Sequence, residues 1–351
     1  MTIDEHSSFL VGTGFYLPFT IIHNDFFEGK TLKKFKPDGS FDKYVTCSNA
    51  WIMQNMGIRE RRKAAEHETP HYMGHHATQM ALTDAGLSFD QIDGLVVGTV
   101  TSQRGFPSTA SEIQHLFAYS PGEREFHAFD VGAACAGYLQ SLDVVDTYLR
   151  AKKANVLAAV GVEKLTKIID LEDANAPLFG DGAGAGILVS GSYLLARKDL
   201  FPSGTLVGKI VATYIQSDSF GDNLLAIHRD DHHILRMFEG NRVMRYATRS
   251  MAEAVHQIKL KTGWNNEDID LVIPHQANIR ILEAVARVSH LPMEKIYVNI
   301  ERYGNMSSAT CGVAHSQALR EGIIKEGGKV ILTSFGSGYV TGAVGLEYLL
   351  L

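Results

Sequence analysis

The segment GLSFDQIDGLVV (residues 86–97) guides the interpretation of the whole chain, because its layout returns in GWNNEDIDLVIP (residues 263–274). In each copy a glycine is followed by a bulky apolar residue, a short and mostly polar stretch, the pair Ile-Asp, and an apolar run typical of a buried strand. The two segments lie 177 residues apart, about half of the 351-residue chain. A repeat at this distance predicts two copies of one structural unit.

Two further pairs of segments keep the same order. FHAFDVGAACAGYLQSL (126–142) and IYVNIERYGNMSSATCGVAHSQAL (296–319) each run from a strand through a glycine and small residues into a helix. FGDGAGAGILVSG (179–191) and FGSGYVTGAVGLEYL (335–349) each place a glycine-rich turn before an apolar strand. We therefore predict two diverged halves with a boundary between them.

The predicted halves are residues 1–195 and residues 205–351. Continuous apolar runs alternate with amphipathic helical patterns, which is typical of an α/β fold with a mainly parallel sheet covered on both faces. The runs that we interpret as strands are 92–100, 155–163, 269–276 and 329–336.

Composition excludes several classes of protein. The net charge is −6, with 33 basic and 39 acidic residues, and there is no long basic run, so we expect no nucleic-acid partner. Asp4 and Glu5 stand where a secretory signal would carry lysines, and no apolar run reaches the roughly 18 residues of a membrane span. We expect a cytoplasmic protein that does not enter a membrane. The three cysteines show no CxxC spacing, which argues against a disulfide framework and a thiolate zinc site.

Cys135 is the candidate nucleophile. It follows the strand-like HAFDV and precedes a helix in which Tyr138, Leu142, Val145 and Leu149 form one apolar face. A helix N-terminus favours negative charge, so we expect a lowered thiol pKa and a populated thiolate. The alternative is a buried cysteine that fills a helix–sheet contact, and this segment alone leaves both interpretations open.

Two residues of the second half supply candidate hydrogen-bond donors for an oxyanion. His275 follows a proline at the end of the strand in VIPHQANIRI, and Asn305 follows a glycine before a helix, in the position that Cys135's segment occupies in the first half. Each has an ordinary alternative, a core or surface histidine and a helix cap. Two packed halves would bring these strand ends around one cavity, and the agreement of all three residues favours thioester chemistry.

Other motifs invite different interpretations. The histidines of HETPHYMGHH (67–76) and HRDDHHIL (228–235) suggest metal binding, but His71 and His75 lack the glutamate of a zincin motif, and we predict no metal site. The glycines of GDGAGAG precede a strand rather than a helix, so we predict close backbone packing and no dinucleotide site. Cys47 and Cys311 are predicted to be small buried residues.

The motifs DVGAACAG, PHQANIRI, YGNMSSA, FGDGAGAG and FGSGYVTG, in this order, resemble the β-ketoacyl-acyl-carrier-protein synthase III family of thiolase-fold condensing enzymes. VGTGFYLP and WIMQNMGIRERR match as well, so the resemblance covers essentially the whole chain. It implies a thiolase-like fold of two pseudo-symmetric halves in α-β-α-β-α layers. It also implies a homodimer, an acyl carrier protein partner and thioester substrates, with no bound cofactor.

The same resemblance implies a role for each site residue. Cys135 would accept the acyl group, and His275 and Asn305 would stabilise the enolate that forms when a malonyl-carrier-protein extender loses CO₂. The backbone N–H groups of Cys135 and Ser337 would form the oxyanion hole, where a glycine is more usual than Ser337. The implied substrate-binding residues are Trp51, Phe106, Asn278, Arg280 and Phe335, of which Phe106 would reach into a partner subunit's acyl pocket; Phe106 and Phe335 could equally be ordinary core residues.

The sequence departs from the family where coenzyme A binds. Trp51 is present, but the arginine expected to complete the adenine sandwich is Asn55, and the segment expected to hold a second arginine offers Glu172, Asp173 and Ala174. Fewer cations near a polyanion should weaken coenzyme A binding. We therefore expect an acyl or β-ketoacyl donor on a carrier protein, or an unusual coenzyme A ester, in a specialised lipid or polyketide pathway such as dialkylresorcinol formation. Arg280 remains, and Arg287 follows it.

Non-condensing members of the same fold are the competing interpretation. An acyltransferase that forms esters, a thioesterase or a silent partner subunit would each keep the architecture. The presence of all three candidate catalytic residues argues against a silent subunit. An asparagine beside the histidine favours a decarboxylating extender over simple transfer to an alcohol.

Overall fold

The computed structural model describes residues 3–36, 38–118, 122, 124–218, 225–227, 234–237 and 240–351. The strands are β1 (Ser8–Tyr16), β2 (Thr20–His23), β3 (Thr31–Phe35), β4 (Phe41–Thr46), β5 (Glu60–Lys63), β6 (Gly94–Gly98), β7 (His127–Val131), β8 (Val156–Lys164), β9 (Asp181–Ser190), β10 (Leu206–Ser217), β11 (Leu225–Ile227), β12 (Leu235–Met237), β13 (Leu271–Pro274), β14 (Lys329–Gly336) and β15 (Val340–Leu350). The α-helices are α1 (Asn49–Met56), α2 (Pro70–Ala85), α3 (Thr109–Leu116), α4 (Gly137–Arg150), α5 (Gly191–Ala196), α6 (Gly240–Thr262), α7 (Ile279–Val288), α8 (Ile300–Tyr303) and α9 (Ala309–Arg320).

Nine strands form one sheet in the order β13-β14-β15-β10-β1-β9-β8-β6-β7. The order β1-β9-β8-β6-β7 in the first half is repeated as β10-β15-β14-β13 in the second. Beyond β13, a parallel bridge between Val272 and Ile296 occupies the place that β7 takes in the first half. The two half-sheets meet where Phe9 pairs with Lys209 and Leu10 with Gly208, and just past this contact β1 and β10 each carry a register shift. Matching strand order and matching irregularities confirm the two pseudo-symmetric halves.

The prediction of a mainly parallel sheet is wrong, because the sheet is mixed. Strand β6 runs parallel to β7 and β8, and β13 runs parallel to β14. The pairs β8–β9, β1–β9, β1–β10, β10–β15 and β14–β15 are antiparallel. No crossover helix separates β8 from β9 or β14 from β15 in chain order, so these neighbours reverse direction. An apolar run in the sequence indicates that a strand is buried, but it does not indicate in which direction the strand runs in the sheet.

Helices pack as layers around the half-sheets. One core joins α2 and α3 to the outer face of the first half, and another joins α6 and α7 to the second. Helices α4 and α9 lie between the halves, where Tyr138, Leu142 and Val145 of α4 share a core with Leu332 and Val344. The predicted apolar face of α4 and the α-β-α-β-α layering are confirmed. Segment 191–205, which holds α5, connects β9 to β10; the division at residues 195 and 205 stays a prediction.

Glycines allow α4 and α9 to approach the strands closely. A Cβ atom on Gly98 of β6 would lie 2.3 Å from the carbonyl carbon of Gly137, at the start of α4. A Cβ on Gly184 would lie 2.6 Å from the backbone of Gly312 in α9. The GDGAGAG glycines lie within the buried strand β9, where backbone packing, as predicted, accounts for them.

Three two-stranded sheets lie beside the main one: β2–β5, β3–β4 and β11–β12. The β3–β4 hairpin is fixed to segment 172–174, because the N–H of Lys33 donates to the carbonyl of Glu172 (2.6 Å) and the N–H of Ala174 donates to the carbonyl of Lys33 (2.8 Å). Over the ranges given above, no helix is both long and apolar enough to cross a membrane.

Candidate active site

One cavity of about 990 Å³ collects the candidate catalytic residues. Cys135, His275 and Asn305 all line it, as does Ser337 of the last glycine turn. The first residue comes from one half of the duplicated fold and the others from the second. The structure thus places these residues together, at the ends of β7, β13 and β14 and in the loop before α9, as the strand-end argument expected.

Cys135 lies in a tight turn between β7 and α4. Ala134 adopts a left-handed backbone conformation (φ 44°), and residues 134–136 form one 3-10 turn before α4 begins. The Ser334 hydroxyl donates to the carbonyl of Cys135 (2.8 Å). A Cβ on Gly336 would lie 2.5 Å from the carbonyl oxygen of Ala133 and 2.9 Å from the amide nitrogen of Cys135, so a glycine is required there. This contact brings the turn that contains Ser337 against the Cys135 backbone.

The expectation of a lowered thiol pKa is wrong. Burial raises the pKa of Cys135 to about 11, and the negative charge of Glu163 acts in the same direction. A hydrogen bond from Ser307 lowers it only in part. Desolvation disfavours the thiolate more than the helix terminus favours it.

His275 is a buried, neutral imidazole. Its backbone N–H donates to the carbonyl of Thr333 (2.7 Å), and burial lowers its pKa to about 3. The ring Nδ1 lies 2.6 Å from the Thr310 hydroxyl. That hydroxyl also lies 2.8 Å from the carbonyl of Ser307. The hydroxyl has one proton: when it donates to Ser307 it accepts from Nδ1–H, and when it donates to Nδ1 the ring proton resides on Nε2. Only the second arrangement allows Nε2 to donate a hydrogen bond to a bound carbonyl.

The Asn305 side chain is oriented by its neighbours. The backbone N–H of Ser307 donates to Asn305 Oδ1 (2.8 Å). The amide oxygen is therefore occupied, which leaves the NH₂ group as the end of this side chain that can donate to a bound carbonyl. The backbone of Asn305 pairs with the loop before β9 through Leu178 and Gly180.

Ser307 contacts several residues around the nucleophile. Besides its contact with Asn305, its hydroxyl hydrogen-bonds Cys135 and lies 3.2 Å from Glu163 Oε1. Glu163 is fully buried, accepts a hydrogen bond from Thr101 Oγ1 (2.6 Å), and has its pKa raised by burial to about 7. Neither Glu163, Ser307 nor Thr310 was predicted as a site residue. Ser307 lies within the motif YGNMSSA, which drew attention to Asn305 instead, whereas Glu163 and Thr310 resemble ordinary strand and helix-start residues. Their burial is visible only in the fold.

Comparisons with known proteins identify the fold and the family. The family model for 3-oxoacyl-[acyl-carrier-protein] synthase III matches residues 129–197, and the model for the C-terminal part of these enzymes matches residues 260–348. A β-ketoacyl-[acyl-carrier-protein] synthase III of Aquifex aeolicus is 36% identical over 97% of this chain and 99% of its own. This chain belongs to the β-ketoacyl-[acyl-carrier-protein] synthase III family.

Two crystal structures extend the comparison. The 3-oxoacyl-[acyl-carrier-protein] synthase III of Aquifex aeolicus superimposes with a TM-score of 0.82 at 34% identity, covering 97% of this chain and 99% of that one. The priming β-ketosynthase of the R1128 polyketide pathway gives 0.81 at 27% identity, covering 98% and 96%. The predictions of a synthase III, of a thiolase-like fold and of an acyltransferase are confirmed.

Most of the substrate-binding residues that the synthase III resemblance implies line the same cavity. These are Trp51, Asn278, Arg280 and Phe335. Phe335 packs edge-on against Tyr339, with ring centroids 5.3 Å apart. Phe106 lies in a loop and is 88% exposed, outside the cavity lining. Its predicted contact with a partner subunit, like the homodimer itself, stays a prediction.

The wall beside Trp51 is fixed by side-chain contacts to backbone. Asn55 donates from Nδ2 to the carbonyl of Trp51 (2.8 Å), within the same helix. Asn278 donates to the carbonyl of Asn55 (2.8 Å), and Arg280 donates to the carbonyl of Gln54 (2.9 Å). The Asn55 side chain is thus bonded to the backbone of α1.

Cations line the cavity at positions other than the two where the expected arginines are missing. The Glu172 carboxylate forms an ion pair with Lys33 (2.6 Å), so its charge is compensated. The cavity is lined by several cationic side chains and by one acid, Asp42; the cations are Lys34, Lys36, Lys43, Arg242, Arg245 and Arg280. Sequence reasoning missed the hairpin lysines, because several lysines in and beside a short strand are typical of a solvated surface.

The histidine-rich segments give no shared site. His71 contacts the Glu112 carboxylate (3.3 Å), and the His75 ring packs against Phe117. Most of HRDDHHIL lies outside the described residues. Where the structure describes the chain, no group of three or more histidine, cysteine, aspartate or glutamate residues is arranged to hold a metal ion. Cys47 and Cys311 are buried, as predicted.

Proposed function

We propose that this synthase transfers an acyl group from a carrier-protein thioester to Cys135 and then condenses it with a malonyl-type carrier-protein thioester. The observation that carries this proposal is the meeting of Cys135, His275 and Asn305 in one cavity. A thiol beside two neutral donors suits a reaction that first stores an acyl group and then develops charge on a second carbonyl oxygen.

In the first half-reaction, Cys135 Sγ attacks the donor carbonyl. The carbon–sulfur bond to the donor thiol breaks, and the proton lost by Cys135 leaves on that thiol. The backbone N–H groups of Cys135 and Ser337 hold the oxyanion. Close packing of Gly336 on the Cys135 turn supports this assignment, because both donors then belong to one rigid corner.

In the second half-reaction, the extender loses CO₂ and the electron pair of the broken carbon–carbon bond forms an enolate. His275 and the Asn305 amide donate hydrogen bonds to the enolate oxygen. The enolate carbon attacks the acyl carbonyl, and Cys135 leaves as the thiolate, which takes up a proton from solvent and becomes the thiol again. A histidine whose pKa is lowered to about 3 is neutral throughout the physiological range, so it can hold the enolate oxygen by a hydrogen bond without giving up a proton to the enolate carbon.

The donor is carried by an acyl carrier protein rather than delivered as acetyl-coenzyme A. The hairpin lysines provide positive charge for a phosphate, but Asn55 is bonded along its own helix and gives the Trp51 ring no arginine partner for an adenine. A carrier-bound arm has the phosphate without the adenine. Curated relatives are named as acyl-carrier-protein synthases, which supports a carrier as partner.

The pathway is part of the proposal. We assign the protein to specialised lipid or polyketide synthesis, of which dialkylresorcinol formation is one example, and the similarity to a polyketide priming synthase supports this.

The intact-protein mass after incubation with a panel of donors tests the proposal. The panel contains acetyl, octanoyl and β-ketoacyl groups, each on coenzyme A and on a carrier protein, with Cys135→Ala as the control. We expect a mass increase that requires Cys135 and is fastest with longer, carrier-bound donors. Addition of malonyl-carrier protein should then release a β-ketoacyl product together with CO₂.

Other outcomes separate the alternatives. Rapid acetylation by acetyl-coenzyme A would contradict the donor assignment. It would indicate that the protein initiates ordinary fatty-acid synthesis. Acylation followed by release of free acid, or by transfer to an alcohol, would indicate a thioesterase or an ester-forming acyltransferase. The absence of acylation by every donor would overturn the proposed function.

A further inference from the structure

The β3–β4 hairpin places three lysines on the cavity that contains Cys135. Lys34, Lys36 and Lys43 line it, although all three are exposed to solvent. The hairpin is separate from the main sheet and is attached through Lys33 to segment 172–174. This segment also reaches the cavity at Ala174. The hairpin therefore contributes part of the cavity wall.

The pairing of the two strands brings like charges together. Lys34 lies directly opposite Lys43 in the antiparallel register. Opposed residues on one face of a sheet have Cβ atoms about 5 Å apart, and like charges in this arrangement are destabilising. No carboxylate forms an ion pair with Lys34 or Lys43 over the described ranges of the chain, whereas Lys36 has the charge of Asp38 nearby. An anion between the two lysines would relieve their repulsion.

Lys33 and Lys34 have different surroundings in the hairpin. It neighbours Lys34 in sequence, so its side chain projects from the opposite face of the strand. Its ammonium group is paired with Glu172 at 2.6 Å. The same short strand thus carries one lysine that is neutralised within the protein and another that is directed to the cavity without an acidic partner.

We propose that Lys34 and Lys43, assisted by Lys36, bind the phosphate of the pantetheine arm that carries the acyl donor. This inference rests on the proposed function, and it makes the hairpin the element that recognises the donor. Lysine ammonium groups bind phosphate as point charges and need no bidentate geometry, which suits side chains at an exposed rim. The positive balance of the cavity, six cations against Asp42, favours an anionic ligand in the same way.

A donor series isolates the phosphate. Octanoyl-carrier protein, octanoyl-coenzyme A and octanoyl-pantetheine present the same thioester, but the last has no phosphate. The rate of Cys135 acylation is measured for the native protein and for the double variant Lys34→Gln/Lys43→Gln. We expect kcat/KM to fall about tenfold with both phosphate-bearing donors and to change less than twofold with octanoyl-pantetheine.

Lys33→Gln is the matched control. It removes one charge from the same hairpin but on the face that contacts Glu172, so all three donors should keep their rates within twofold. Thermal unfolding of each variant checks that the hairpin change leaves the fold intact.

Each other result overturns the inference. A loss confined to the carrier-bound donor would show that the lysines contact the carrier's acidic surface instead of the phosphate. An equal loss with all three donors would show a structural effect, and unchanged rates would show solvated lysines. Failure of the native protein to be acylated even by octanoyl-pantetheine would instead count against the proposed function, so the two failures are distinguishable.

Discussion

The inner end of the cavity and its rim are built in different ways. At the inner end, His275, Asn305 and Ser307 are buried, and each has a named hydrogen-bond partner. At the rim, Lys34 and Lys43 are exposed and oppose each other without an acidic partner in the described structure. Under the proposed function, the buried, hydrogen-bonded inner residues serve the chemical steps and the exposed rim lysines serve donor binding. Changes at the inner end should therefore alter the chemical steps, and changes at the rim should alter which donor is used.

Replacing His275 should have the largest effect. His275→Ala removes one of the two donors to the enolate oxygen, and the loss of one such donor lowers a rate by about 10²–10³. We expect condensation to fall by this factor while Cys135 is still acylated, measured as separate single-turnover steps.

His315 offers a matched control for this variant. It is equally buried, its pKa is also lowered by burial to about 3, and it bonds to Tyr348 outside the cavity lining. His315→Gln should leave the ratio of condensation to acylation within twofold. If both steps fell equally in His275→Ala, the assignment of His275 to the second step would be wrong.

Replacing Thr310 tests whether its hydroxyl positions the His275 ring. Thr310→Val removes the hydroxyl that lies 2.6 Å from Nδ1 and hydrogen-bonds the His275 ring. We expect condensation to fall about tenfold, the equivalent of one hydrogen bond of about 1.4 kcal/mol, with acylation unchanged. Thr310→Ser keeps the hydroxyl and should restore the rate; an equally slow serine variant would indicate a packing defect instead.

Replacing Glu163 tests how its negative charge affects the pKa of the Cys135 thiol. Its carboxylate raises the pKa of Cys135, and its own pKa is raised to about 7, so the effect operates mainly above neutral pH. Glu163→Gln removes this charge and should lower the thiol pKa. The midpoint of iodoacetamide alkylation at Cys135 should therefore move to lower pH, with alkylation at pH 8 several-fold faster.

Asp181→Asn is the control for charge removal at a distance. Asp181 is also a buried carboxyl, but it bonds to Ala64 and Thr166 and does not act on the Cys135 thiol. Its variant should leave the alkylation midpoint unchanged. A shift to higher pH in Glu163→Gln would contradict the electrostatic account.

Sequence predicted the inner end well and the rim poorly, for physical reasons. Cys135, His275 and Asn305 lie beside glycines and prolines at strand ends, and the duplication places those ends together. The thiol pKa was wrong in direction because burial, and Glu163 on a different strand, are properties of the assembled fold. The role of Lys34 depends on contacts between Lys33 and residues about 140 positions away, and no local pattern encodes them.

Asn55→Arg should give the smallest effect and would sharpen the contrast between inner end and rim. An arginine could stack over the Trp51 ring and complete an adenine site, a cation–π contact worth about 0.5–1 kcal/mol at an exposed position. We expect kcat/KM for octanoyl-coenzyme A to rise two- to fivefold, with octanoyl-carrier protein and the condensation step unchanged. Asn55→Lys is the matched control, because it adds the charge without the planar group. An equal gain in both variants would mean that net charge alone selects the donor, and no gain in either would place the adenine away from Trp51.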